Sequence, residues 1–206
     1  RPPRSTLFPY TTLFRSAMTK RRGYDLSVSA FLKYPDGTFE GGTSCLEKRG
    51  ISDLVPSWIS ENCIQCNQCS FVCPHSVIRP FLLNDMEYNS APDYVKNRCV
   101  KSIGSNNYYC LAISIKDCTG CGICIKTCPG KKNEKALIIK KLKEQLDISE
   151  QKVFDYLSKN ISYKNDFKID TVKGSQFKAP KFEYCGACSG CGEVSYLKVL
   201  TQLFGD

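Results

Sequence analysis

Cys63-Ile64-Gln65-Cys66-Asn67-Gln68-Cys69-Ser70-Phe71-Val72-Cys73-Pro74 decides how the rest of the chain is laid out, because its pattern recurs as Cys118-Thr119-Gly120-Cys121-Gly122-Ile123-Cys124-Ile125-Lys126-Thr127-Cys128-Pro129. Both copies read C-x2-C-x2-C-x3-C-P. Three cysteines at this spacing let one short loop wrap a cubane of iron and sulfur, each thiolate reaching a different corner while intervening amides point at sulfur. Gly120 and Gly122 ease the wrapping in the second copy, since glycine accepts backbone angles closed to other residues. The fourth cysteine of each run lies too far along to serve the same corners, and in two-cluster modules it ligates the other cluster. The expected ligand sets are therefore Cys63, Cys66, Cys69 and Cys128 for one 4Fe-4S cluster, and Cys118, Cys121, Cys124 and Cys73 for the other.

Outward from the runs, a strand, a cysteine loop with a short helix and a second strand are expected twice. Val77–Leu83 follows the first run as a strand; Leu111–Ile115 precedes the second and Ala136–Ile139 follows it. This pseudo-twofold plan is that of a bacterial-type ferredoxin, in an α+β fold spanning residues 57–142. Pro74 and Pro129 turn the chain away, having no N–H to satisfy. Ile64, Phe71, Val72, Ile123 and Ile125 supply the dry surround that tunes a cluster's potential. Structural zinc is the competing assignment, but it usually employs two separated C-x2-C pairs. Cys45, Cys99, Cys110 and Cys185 lie outside the runs and read as unmodified thiols. His75 reads as a surface residue, and Lys126, Lys131, Lys132 and Lys135 as solvated side chains. The polar stretch from Asn84 to Tyr109 is expected on the surface.

The chain has 206 residues, 42% of them hydrophobic, enough for a packed core, and 14 cysteines. With eight of these in metal-ligand runs, a reducing compartment is expected, hence a cytoplasmic protein. No apolar run approaches the roughly 20 residues of a membrane span. The net charge of +9 is offset in part by cluster charge; it reads as a solvated face or a landing site for an acidic electron carrier, not as a nucleic-acid surface.

Residues 1–16 repeat Thr-Leu-Phe, show no periodicity and read as adapter-like sequence. A transit peptide is the alternative, against which Pro2, Pro3 and Pro9 stand. In residues 17–56, Leu26–Leu32 alternates like a strand before a turn at Pro35-Asp36-Gly37. The triplet Glu47-Lys48-Arg49 reads by itself as a charged loop. Residues 143–180 hold a helix over about 150–159, capped by Asp147 or Ser149, with Val153, Phe154 and Leu157 as its apolar stripe, followed by an extended linker. Residues 181–206 end in a helix over 194–204 stopped by Gly205.

Four segments together resemble the pyruvate:ferredoxin (flavodoxin) oxidoreductase family: Gly42–Arg49, with its Glu-Lys-Arg triplet; Glu61–Leu83 around the first run; Thr171–Phe177; and Cys185-Gly-Ala-Cys188-Ser-Gly-Cys191-Gly-Glu193. The resemblance implies an internal fragment whose residues 181–206 begin a thiamine-binding domain. It implies that Cys188 and Cys191 are two ligands of a third 4Fe-4S cluster completed by downstream cysteines, and that Glu193 lies against thiamine diphosphate, with Mg in the full-length enzyme. Cys185 stands where the family usually has serine. The implied reaction of the full-length enzyme, a homodimer, converts pyruvate and CoA to acetyl-CoA and CO2, with electrons leaving through the clusters to ferredoxin or flavodoxin. The fragment alone would be inactive. A free-standing ferredoxin is the alternative from another class, and needs neither the Glu-Lys-Arg segment nor the terminal cysteine pair. A pyruvate:NADP fusion is a third.

Overall fold

The computed structural model describes residues 17, 22–32, 35–37 and 48–205. They fall in two units, residues 1–47 and residues 48–206. In the first, 3-10 turns form at Gly23–Asp25 and Val28–Phe31. The alternation over 26–32 therefore does not make a strand. Its amides bond locally, Ala30 N–H to Ser27 O at 2.9 Å and Leu32 N–H to Ser29 O at 3.3 Å, and Val28 and Leu32 are exposed. Period-two patterning yields a strand only where a partner strand and a surface to cover exist. The turn at Pro35-Asp36-Gly37 does form, with Gly37 at φ 78°. Residues 1–16, Cys45 and Glu47 lie outside the described residues.

The second unit is α+β. Its strands are β1 (Leu54–Trp58), β2 (Ile78–Leu83), β3 (Val100–Lys101), β4 (Tyr108–Ile113) and β5 (Leu137–Lys141). Its helices are α1 (Gln68–Phe71), α2 (Asp85–Ser90), α3 (Asp93–Lys96), α4 (Ile123–Thr127), α5 (Leu142–Asp147), α6 (Glu150–Asn160), α7 (Val172–Ser175) and α8 (Gly192–Phe204). β1 pairs antiparallel with β5, Trp58 opposite Leu137. β2 pairs antiparallel with β4, Ile78 opposite Ile113, and β3 extends that sheet. Each strand flanking the first run is thus bonded to a strand flanking the second, so the two cysteine loops hang from a shared frame. Pro56 and Pro80 sit in edge strands, where a missing N–H need not break the sheet.

The core runs through Trp58, Leu82, Leu83, Tyr109, Leu111, Ile113 and Leu137. Trp58 and Tyr109 meet edge to face at 5.9 Å. α6 covers β4 with Val153, Phe154 and Leu157, all buried, as its apolar stripe predicts. Ser149 is its N-cap but sits at φ 62° without a side-chain cap bond. The 84–109 stretch is not simply surface: α2 and α3 form there, Ala91 after α2 and Val95 within α3 are buried, and Tyr109 lies in the core. The start of α2 carries a capping box, Asn84 Oδ1 accepting from Glu87 N–H and Glu87 Oε2 accepting from Asn84 N–H, both at 2.8 Å. The expected linker after α6 contains α7, whose Thr171 hydroxyl caps Gly174 N–H at 3.0 Å.

Candidate metal centres

Two apolar cavities lie between the sheets and the loops. One is lined by Cys63, Cys66, Cys69 and Cys128, with Trp58, Ile64, Tyr109, Leu111 and Leu137. The other is lined by Cys73, Cys118, Cys121 and Cys124, with Val55, Ile78, Ile123, Ile125 and Ile139. In each, three cysteines come from one run and the fourth from the other. Among the described residues, no three His, Cys, Asp or Glu side chains converge closely enough to hold a single ion. The thiols surround spaces rather than points.

The loops follow one backbone path. Gln65 and Asn67 have left-handed φ values of 56° and 60°, and Gly120 and Gly122, at the matching places, have 68° and 74°. This path aims Gln65 N–H at Cys63 Sγ and Gly120 N–H at Cys118 Sγ, both at 3.4 Å. Each cavity also borders a buried nitrogen with no ordinary partner. Trp58 Nε1 lies against the Cys63 thiol and has no other partner. His75 Nε2 has none, while Nδ1 sits 3.2 Å from Cys185 O. His75 is 3% exposed, so the expectation of a surface histidine is wrong; Tyr184 N–H donates to its carbonyl at 3.1 Å and the 182–185 segment covers it.

Burial, followed by neighbouring thiols, raises the Cys69 thiol well above its ordinary value, and burial pushes Cys118 up to about 12 and Cys124 higher still. A metal that binds these sulfurs takes the place of their protons. The donor set, the dry lining, the amides aimed at sulfur and the orphaned nitrogens together fit sulfur-rich clusters.

A lysine from outside caps the C-terminal end of the helix in each cysteine loop. Lys198 Nζ donates to Phe71 O at 2.8 Å and Cys73 O at 3.2 Å and also reaches Ser70 O. Lys198 is 1% exposed, and burial lowers its ammonium to about 8. Lys135, exposed, donates to Ile125 O at 2.7 Å and Lys126 O at 3.0 Å; it is solvated yet fixed. Lys48 is no bland loop charge either: its ammonium pairs with Asp117 beside Cys118 and lies 4.6 Å from the Tyr184 ring. No pattern in the sequence marked Lys198, whose stripe on α8 is Val194, Lys198 and Gln202.

Cys188 is exposed and Cys191 half-buried, joined by a turn with Cys191 N–H on Cys188 O at 3.1 Å; neither lines either cavity. Glu193 is exposed in the first turn of α8. Ser189 Oγ, between the two cysteines, donates to Thr119 O at 3.0 Å.

Residues 62–133 match a family described as a 4Fe-4S dicluster domain, and residues 13–52 match the EKR family, described as a domain of unknown function. The chain is 46% identical over 189 residues, 92% of its length, to the pyruvate-flavodoxin oxidoreductase of Klebsiella pneumoniae. It is 44% identical over 186 residues to the pyruvate:ferredoxin oxidoreductase of Moorella thermoacetica, and 42% over 189 residues to a pyruvate dehydrogenase (NADP+) of Cryptosporidium parvum. It spans 16% of the length of the first two and 9% of the third. No helix among the described residues is long and apolar enough to cross a membrane.

Proposed function

We propose, from homology to one segment of the pyruvate:ferredoxin and pyruvate-flavodoxin oxidoreductases, that this chain is the electron relay of such an enzyme. The observation that carries the proposal is the exchange of the fourth cysteine, Cys73 lining the cavity of the second run and Cys128 that of the first. The eight thiolates would hold two 4Fe-4S clusters, which when bound supply one-electron chemistry. Val55, Ile78 and Ile123 keep water from one, and Trp58, Leu111 and Leu137 from the other. The amides of Gln65 and Gly120 favour negative charge at the thiolates they face.

Ser189 and Gly190 rest on the Cys118 loop, a Cβ on Gly190 falling 3.2 Å from Cys121 Cβ. The Cys118 loop therefore faces the terminal cysteine segment, and the Cys63 loop, where Ile64 is exposed, is assigned to the side of ferredoxin or flavodoxin. In the whole enzyme the reaction is the oxidative decarboxylation of pyruvate with CoA. Cys188, Cys191 and Glu193 are assigned by resemblance to a third cluster and to thiamine diphosphate with Mg. Two thiols and an exposed carboxylate do not make either site here, so they carry no step of the relay. The similarity to a pyruvate dehydrogenase (NADP+) favours a second reading, the same relay feeding a reductase.

Anaerobic reconstitution with iron and sulfide is expected to load about eight irons and to give an interacting two-cluster EPR signal on reduction. Tight zinc without visible absorbance would sink the assignment. Rapid mixing of the reduced chain with oxidised flavodoxin should bleach and restore the two chromophores together; no transfer overturns the partner.

A further inference from the structure

Two thiols outside the cluster loops face each other across a ladder. β3 pairs with β4 with Val100 opposite Tyr109 and Lys101 opposite Tyr108. Continuing that register one step places Cys99 opposite Cys110. Directly opposed residues of an antiparallel pair have Cα atoms about 4.5–5.5 Å apart, inside the range of about 4.4–6.8 Å that a disulfide spans. Each thiol lies close enough to shift the other's protonation, Cys99 Sγ also donates to Val95 O at 3.3 Å, and both thiols are free. They differ in access: Cys110 is 0% exposed, whereas Cys99, just past α3, is only partly buried. They differ in reactivity in the same sense. The bond to Cys110, and the Arg98 guanidinium beside it, hold the Cys99 thiol below its ordinary value against the effect of burial. Cys110, bonded to Cys99, buried and near Glu150, is pushed well up.

We propose that Cys99 and Cys110 form a modification site, an attacking and resolving thiol pair that exchanges with small disulfides of the glutathione type and closes into a cross-strand disulfide. The Cys99 thiolate attacks one sulfur of the small disulfide, breaking its S–S bond and releasing one thiolate. Cys110 then gives up its proton and attacks Cys99 Sγ in the mixed disulfide, releasing the second. Two electrons pass from the protein pair to the small disulfide, and the two released thiolates take up the two protons. The site braces the first cluster loop, because Gln65 accepts from Ile103 N–H at 2.7 Å just past β3, and Asn67 accepts from the Tyr109 hydroxyl of β4 at 2.8 Å.

The cluster-loaded chain, treated with glutathione disulfide under argon, is quenched in acid, alkylated and digested with trypsin. Cleavage after Arg98, Lys101 and Lys116 should release residues 99–101 linked to residues 102–116, two hydrogens lighter than the separate peptides. Cys110→Ser should trap a persistent glutathione adduct on Cys99, and Cys99→Ser should leave Cys110 reduced. A stable adduct on Cys99 of the unaltered chain with Cys110 still alkylatable would overturn the pair. So would absence of the linked peptide under conditions that modify Cys185. The unaltered chain decides the matter even if either variant fails to fold.

Discussion

The two cysteine loops share a backbone path and differ in what holds them to it. In the first, the left-handed positions are Gln65 and Asn67, buried side chains that tie the loop to distant elements. Gln65 Nε2 donates to Lys101 O at 2.9 Å and Asn67 Nδ2 to Lys173 O at 2.8 Å. In the second loop the same positions are Gly120 and Gly122, which bond to nothing through side chains. A left-handed residue with a Cβ costs roughly 1–2 kcal/mol, so the first loop accepts strain and offsets it with hydrogen bonds, while the second avoids it. The lysines on the loop helices follow the same division: Lys198 reaches α1 from α8 and is buried, whereas Lys135 reaches α4 from a few residues away and is exposed. The backbone path that aims amides at sulfur is common to both loops; ties made by the left-handed residues' own side chains belong to the first.

The sharpest way to break the comparison is at the residues the loops exchange. Cys73→Ala is expected to destroy the cluster of the second loop, and Cys128→Ala that of the first, each taking iron from about eight to about four per chain. Iron analysis with EPR of the remaining cluster checks this. If Cys73→Ala and Cys63→Ala erase the same signal, each loop holds its own fourth ligand and the pseudo-twofold exchange is lost.

The next largest difference is expected at the lysines. Lys198→Met leaves the Phe71 carbonyl without its donor and takes the ammonium from those of Ser70 and Cys73, which keep the amides of Cys73 and Ser76, a loss of about 1–3 kcal/mol. Lys135→Met leaves its carbonyls open to water, where such a charge contributes under about 1 kcal/mol. Denaturant midpoints of the two cluster-loaded variants should separate in that order. Equal shifts would show that burial of Lys198 adds nothing to the first loop.

Much of the local architecture is legible in the sequence because it is set by local pattern. The cysteine runs fix the loops, and the stripe of Val153, Phe154 and Leu157 fixes α6. What stays hidden depends on partners far along the chain. Lys198 looks like one charge among many until α7 and α1 close around it. α8 buries Val194, Lys198 and Gln202 and leaves Tyr196, Leu200 and Phe204 exposed, the reverse of what apolar patterning predicts, so patterning alone misplaces its inner face. His75 is buried where residues 182–185 fold back over it beside the second cavity. The capping box at Asn84 and Glu87 was legible in principle, since Asn-x-x-Glu is a helix-start signature; the polarity around it masked the helix. Leu26–Leu32 misleads in the other direction, having the pattern of a strand without a neighbour to pair with among the described residues.

The smallest expected effects separate strain from crowding within the second loop. A Cβ on Gly120 would overlap Ser52 Oγ and lie 3.2 Å from Leu54 O, atoms already joined by a hydrogen bond of 2.6 Å. Gly120→Ala therefore adds a clash to a left-handed backbone, about 1–3 kcal/mol. A Cβ on Gly122 meets nothing within 4 Å. Gly122→Asn copies the residue that the first loop places there, and asparagine is among the side chains that tolerate this conformation, so its loss should stay within about 1 kcal/mol. The half-time of cluster bleaching in denaturant checks both variants. If Gly122→Asn bleaches as fast as Gly120→Ala, backbone strain outweighs crowding, and the ties of Asn67 to Tyr109 and Lys173 are what make a side chain tolerable in the first loop.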